Sequence, residues 1–240
     1  MMKTKKIKTA TVAACFSVTA QALIQQLIES GTRVVGFGRK GDEQRAAELE
    51  RKYDGKLTVL LGDMTVSEDC QQLVSQSLAV LDGAIDVHYH CTGVYSWSRW
   101  EDVEPVEVDR LFSANFTTAW MLGREVFSAM KLRGEGAIMF ISARDTIRNI
   151  PAGFGPYMAS KLALNGLVES LAAEGVQYGI KVNAVLPTIV DTDVNRQAMP
   201  DVEPMTWVDP VQLAEIMVDL TQPSKTNLSG ALIPVSGKML

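Results

Sequence analysis

Apolar positions along the chain follow two rhythms. Short, nearly continuous apolar runs occur as "TATVAAC" (9–15), "TRVVGFG" (32–38), "LTVLLGD" (57–63), "IDVHYHCTG" (85–93), "GAIMFIS" (136–142), "IKVNAVLP" (180–187) and "GALIPV" (230–235). Runs of this length, rich in β-branched residues, read as buried strands. Between them lie segments with apolar residues at helical spacing: "AQALIQQLIES", which stops at Gly31, "EQRAAELERKY", and "SEDCQQLVSQSLAVL", with Ser67 as its expected N-cap. Two longer helices are predicted over approximately 107–133 and 156–178, the first ending at Gly134, and "DPVQLAEIMVDLT" supplies a last one. Strands alternating with helices imply right-handed crossovers and a parallel sheet covered on both faces. The pattern predicts an α/β, doubly wound, Rossmann-like sheet of about seven strands. No linker or repeat interrupts it, so residues 1–240 are read as a single domain.

Composition narrows the range of functions. A formal charge of −5 gives no electrostatic footprint for nucleic acid, and "KTKKIK" near the start is an isolated basic stretch. Cys15, Cys70 and Cys91 are widely spaced, without a CxxC pair or an even disulfide set, which points to a reducing cytoplasm. The opening "MMKTKKIKTATVAACFSVTAQA" imitates a secretory leader, but threonine and serine dilute its apolar run, and the strand reading is preferred. No segment reaches the ~18 apolar residues of a membrane span, so no membrane partner is expected.

The sharpest chemical signal is "YMASK", which places Tyr157 and Lys161 four apart at the start of a helix and so on one face. An ammonium beside a phenol favours the phenolate, and the pair is expected to bring Tyr157 from about 10 towards neutrality, ready for general acid–base work. The motif follows the strand "GAIMFIS", whose C-terminal end is where sites of this fold lie.

With "YMASK", the segment "RLFSANFTTAW" and the strand "IKVNAVLPTIVDT" in this order, the chain resembles the short-chain dehydrogenase/reductase family along nearly its whole length. "VNAVLPTIVDTDVNRQAMPD" with "GALIPV" resembles more narrowly a branch containing dihydropteridine-reductase-like members. The resemblance implies Tyr157 as proton donor or acceptor, Lys161 on the nicotinamide ribose, Asn115 as the active-site asparagine, and Pro187, Ile189 and Thr192 beside the nicotinamide. It also implies a small-molecule substrate and a homodimer or homotetramer built on the two long helices.

Departures from the family pattern cluster at the cofactor. The TGxxxGxG loop falls on residues 13–20, so its glycines are replaced by Ala14, Val18 and Ala20, with Phe16, Ser17 and Thr19 beside them. Val18 is expected to be the troublesome position, because a β-branched residue suits a positive φ poorly. The NNAG turn becomes His90-Cys91-Thr92-Gly93, in which only Gly93 survives. The two neighbours His90 and Cys91 lack partners at metal spacing, so no metal site is expected. His88 and His90 alternate along one strand and are expected to share a face as satisfied buried imidazoles. The serine column of the family holds Ala143, leaving Ser142 as a substitute that requires a re-routed loop. Gly38 stands where NAD-binding relatives carry an acid, and Arg39 follows it, which favours NADP(H) over NAD(H). Asp63, with Met64 after it, resembles the aspartate beside the adenine. Tyr95, Trp97, Trp100, Met205 and Trp207 lie in loops expected above the sheet and are candidates for an apolar pocket.

These features predict an NADP(H)-dependent carbonyl reductase or alcohol dehydrogenase. The lost glycines keep two alternatives open: a cofactor-free enzyme using Tyr157 for elimination, cyclisation or isomerisation, and a non-catalytic binding protein of the same fold.

Overall fold

The computed structural model describes residues 6–203, 206–225 and 227–237. Seven parallel strands form one sheet: β1 (Thr9–Ala13), β2 (Arg33–Gly38), β3 (Leu57–Leu61), β4 (Val87–His90), β5 (Gly136–Ile141), β6 (Ile180–Pro187) and β7 (Leu232–Val235). Their order across the sheet is β3-β2-β1-β4-β5-β6-β7. Within the leader-like stretch, Thr9–Ala13 form a fully buried strand paired with β2 and β4 in the interior of the sheet.

Side chains alternate across the sheet and feed two cores. Ala10, Val12, Val34, Val87, Tyr89 and Met139 face helices α1 (Val18–Glu29), α2 (Glu43–Lys52) and, towards the end of the chain, α8 (Pro210–Thr221). Ala13, Val35, Phe37, Ile138 and Phe140 face α3 (Ser67–Val80), α5 (Thr118–Arg133) and α6 (Gly155–Gly175). Burial on both faces is why the strands read as continuous apolar runs rather than as alternating ones.

Helix α1 stops as expected, with Gly31 at φ 91° after the Ser30 cap. Helix α3 starts at its expected cap: Ser67 is its first residue, and Val66 holds the cap position. Ser67 Oγ instead accepts from Arg124 Nη2 at 2.9 Å. The first long helix is not continuous. It breaks into α4 (Pro105–Phe112), one π-helical turn at Ser113–Thr117, and α5. The short helix α7 (Asp193–Ala198) completes the set, its N-terminus capped by the Thr192 hydroxyl.

The chain leaves β1 towards β2 and β3 on one side and returns to β4 on the other. Loops at the C-terminal ends of β1 and β4 therefore diverge and open a crevice.

Candidate active site

The β1–α1 loop borders that crevice. Ala14 takes the left-handed conformation, φ 54°, and the loop closes on itself through Ser17 N–H donating to Ala14 O at 2.9 Å. Val18 does not carry the strain expected of it. It is the first residue of α1, and Ser17, in extended conformation, caps the helix by accepting from Ala20 N–H. The difficult backbone falls on Ala14, because that residue makes the turn; the helix N-terminus only has to present its N–H groups.

Room lost by removing glycines from the loop is returned by the neighbouring strand. A Cβ on Gly36 would stand 2.7 Å from Cys15 Cβ, and one on Gly38 would stand 2.5 Å from the Phe16 ring. The Phe16 ring lies over Gly38 with the Arg45 guanidinium on it, 4.5 Å from the ring centroid.

A cavity of about 1140 Å³ runs from this loop across the C-terminal ends of β4, β5 and β6. Phe16, Ser17, Val18 and Thr19 line one end; Gly93, Ser142, Tyr157, Lys161, Pro187, Ile189 and Thr192 line the rest. Eleven predicted site residues thus meet in one space. Ala14, Arg39, Asp63, Met64 and Asn115 are not on its wall. Arg39 is exposed, and Met64 is buried with the Thr92 hydroxyl directed at its sulfur. Asp63 Oδ1 accepts from Thr65 N–H and from Thr65 Oγ1, at 2.9 and 2.6 Å, holding the turn before α3.

Asn115 sits inside the π-helical turn and is fully buried. Its Oδ1 accepts from Val94 N–H at 2.8 Å, while Nδ2 donates to Val94 O and to Ser160 Oγ, each at 2.9 Å. Ser160 Oγ in turn donates to Tyr157 O at 2.7 Å. Asn115 therefore fastens the β4–α4 loop to the first turn of α6, where Tyr157 stands. The extra residue of the π-turn rotates the helix enough to aim this amide inward.

Lys161 is buried, and its Nζ donates to Ile141 O at the end of β5, at 2.9 Å. A Cβ on Gly93 would come within 3.0 Å of both this nitrogen and Asn115 Oδ1, so only glycine fits there without a shift. Burial pushes the Lys161 ammonium down to about 8. Burial, then the Asp145 carboxylate and Tyr95, push the Tyr157 phenol up to about 12. The direction is opposite to the expected depression: desolvation and a nearby negative charge raise the phenol, and Lys161 donates a hydrogen bond to Ile141 O.

Ala143 lies in the serine column, and Ser142 does not replace it by re-routing. Its N–H donates to Val185 O at 2.9 Å, and its buried hydroxyl turns to Lys161 O at 3.4 Å. After Ala143 the loop makes a tight helical turn, Arg144–Ile147. Arg144 Nε and Nη2 both donate to Asp145 Oδ1, at 2.9 and 2.8 Å, and both residues line the cavity. "RD" directly after the altered column was the available sequence signal for this pair, and the sequence reading missed it.

Of the candidate pocket aromatics, Tyr95 and Trp207 line the cavity. Trp97 instead lies on Gly153 and donates from Nε1 to Ala152 O, and Trp100 covers Gly155. Met205 lies outside the described residues. His88 and His90 share a face as expected, with ring centroids 5.7 Å apart. Each is only half satisfied: Thr11 meets His88 Nδ1 and Thr118 meets His90 Nε2, while the other ring nitrogens are buried without a partner. Burial drives the His88 ring down to about 3 and the His90 ring well below its ordinary value.

Such a crevice, with a Tyr–Lys pair on one helix and a helix N-terminus at its far end, lies in a doubly wound α/β fold. The sequence profile of the short chain dehydrogenase family matches residues 8–203, and the chain belongs to that family of oxidoreductases. Among its relatives, a 3α-hydroxysteroid dehydrogenase of Mediterraneibacter gnavus is 27% identical over 90% of this chain and 90% of its own. A glucose 1-dehydrogenase of Gluconobacter oxydans is 30% identical over 79% of this chain and 68% of its own. Among solved structures, a gluconate 5-dehydrogenase of Burkholderia cenocepacia, in complex with NADP and tartrate, superposes with a TM-score of 0.88 at 21% identity, covering 98% of this chain and 95% of the other. ElxO with NADP bound superposes with a TM-score of 0.87 at 18% identity, over 96% and 97% of the two chains. Among the described residues, no helix is long and apolar enough to cross a membrane.

Proposed function

We propose that this protein is a nicotinamide-dinucleotide-dependent dehydrogenase or reductase acting on a carbonyl or secondary alcohol, with Tyr157 as its general acid or base. What carries the reading is one observation: Tyr157, Lys161, Gly93 and the N-terminus of α1 border a single continuous cavity. The residues fit a dinucleotide at two of its three parts. Val18 and Thr19 at the head of α1 suit a diphosphate, and Lys161, Pro187, Ile189 and Thr192 suit the nicotinamide and its ribose. At the adenosine end, Gly38 carries no acid and Arg39 and Arg45 stand nearby in sequence, which favours the 2′-phosphate of NADP(H). The bound nucleotide supplies or takes up the hydride.

The chain's own residues handle the proton. In reduction, Tyr157 Oη gives its proton to the carbonyl oxygen as the carbonyl carbon becomes tetrahedral, and the Lys161 ammonium balances the resulting tyrosinate. Burial keeps the phenol protonated, as a general acid requires. Ala143 offers no hydroxyl to the substrate oxygen, so one oxyanion donor is missing, a loss of ~2–4 kcal/mol against a site that has it. Asn115 and Ser160 position the Tyr157 turn without touching the cavity.

A second reading, acid–base chemistry at Tyr157 without a dinucleotide, draws on the Phe16 ring lying over Gly38. Titration calorimetry with NADPH and NADH tests the first: binding at millimolar concentration or tighter upholds the dehydrogenase, and no binding removes it. The unbridged cysteines, two of them buried, support a reducing cytoplasm as the setting.

A further inference from the structure

Three rings surround the reacting end of the cavity. Tyr95 meets Tyr157 edge-on at 6.1 Å, lies 6.1 Å from Phe154, and Phe154 lies 6.4 Å from Tyr157. This wall is held before any ligand arrives. Ser98 N–H donates to Gly153 O and Trp97 Nε1 to Ala152 O, at 3.0 and 3.2 Å, joining the β4–α4 loop to the β5–α6 loop.

Both arginines that face the same space are already paired with carboxylates. Among the described residues lining it, the cations are Arg110, Arg144 and Lys161. Arg110 grips both oxygens of Glu107, at 2.6 and 2.7 Å, and Arg144 is doubly bonded to Asp145. Asp145 is the one carboxylate on that described lining, and its charge bears on Tyr157. Several neutral polar groups of the lining bond within the protein. Ser142 Oγ donates to Lys161 O, Thr192 Oγ1 caps α7, Asn195 Nδ2 donates to Val190 O, and Thr206 Oγ1 donates to Glu203 O.

We infer that the substrate is an uncharged, ring-bearing carbonyl compound or its secondary alcohol, and that the Arg144–Asp145 pair turns anionic substrates away. This rests on the dehydrogenase reading above. A carboxylate-bearing substrate would meet the Asp145 carboxylate on the wall it shares with Tyr157 and find both arginines paired, with Lys161 buried and donating to Ile141 O. A sugar or other polyol would leave its hydroxyls unpaired against rings. A flat apolar ring gains contact with three aromatic faces and edges.

Two measurements test the inference. In the first, initial rates with NADPH are compared for a decalone, an aliphatic keto acid and fructose. The decalone is expected to exceed the keto acid in kcat/KM by at least ~100-fold, as like-charge juxtaposition at a desolvated site implies. Asp145→Asn should narrow that ratio by ~10-fold, by removing the repelling charge and releasing Arg144. Tyr95→Ala should raise the decalone KM by ~3–10-fold, with kcat moving less. Turnover of the keto acid or fructose as efficient as that of the decalone overturns the inference while leaving the dehydrogenase reading intact. The second measurement is tryptophan fluorescence titration without nucleotide, which decides the matter even if NADPH fails to bind and that reading falls. Saturable quenching by the decalone, with the keto acid and fructose silent, upholds the inference. No binding of the decalone, or tighter binding of either competitor, overturns it.

Discussion

Ala14 shows how one residue carries the history of the loop. An L-residue at φ 54° costs ~1–2 kcal/mol, and glycine would not incur it. Ala14→Gly is therefore expected to stabilise the fold by ~0.5–1 kcal/mol net, since glycine also loosens the unfolded chain. Urea denaturation measures this, and an unchanged or lower midpoint would show that the turn relaxes around alanine. At Val18 the consequence concerns ligand binding instead. Its side chain is exposed at the head of α1 on the cavity wall, so Val18→Gly should tighten NADPH binding several-fold in titration calorimetry. Tyr157→Phe keeps the ring contacts but has no proton to give; turnover should fall by at least ~100-fold with NADPH affinity retained. On the proposed mechanism, Lys161 sets the pH limit. Its ammonium, held down to about 8, is charged below that pH and lost above it, so reductive kcat should decline as pH rises through about 8. A reductive profile flat from neutrality to well above that pH would remove Lys161 from the role of counter-charge.

At the scale of elements, the sequence announced the strands and helices but not how they exchange space. The glycines absent from the β1–α1 loop are answered in β2, where Gly36 and Gly38 admit Cys15 and Phe16. Nothing local to either segment shows this, because the partnership exists only once β1 and β2 pair. The π-turn at Ser113–Thr117 was equally hidden: "FSANFT" satisfies a helical pattern, and the extra residue is set by Asn115 reaching Val94 and Ser160. Strand β4 makes a prediction of its own. His88 ionises near pH 6.5 when unfolded but only near about 3 when folded, so between those values the unfolded chain binds more protons. Stability is thus fully present above about 6.5 and is lost as pH falls towards about 3; the His90 ring, depressed by the same burial, adds to the loss. Thermal melts from neutral to acidic pH should show Tm falling over this window, and His88→Gln should flatten the fall. An equally steep fall in the variant would assign acid lability to other groups.

For the whole molecule, the topology places the site: the divergence between β1 and β4 opens the crevice, and α6 carries Tyr157 and Lys161 into it. Leu162 and Trp120 are exposed on α6 and α5, and we propose assembly through these helices as the homodimer or homotetramer that the family resemblance implies. Leu162→Glu is expected to shift sedimentation towards the monomer, and a wild-type chain that sediments as a monomer would end that proposal. The sequence by itself determined the seven strands, their parallel winding and the Tyr157–Lys161 pair, because hydrophobic period and a four-residue helical spacing are local quantities. Only the tertiary structure decided that Ala14, not Val18, bears the left-handed turn, that burial pushes the Tyr157 phenol up, and that Arg144 and Asp145 line the same cavity. Strain, burial and charge pairing depend on what segments far apart in sequence bring to the same place.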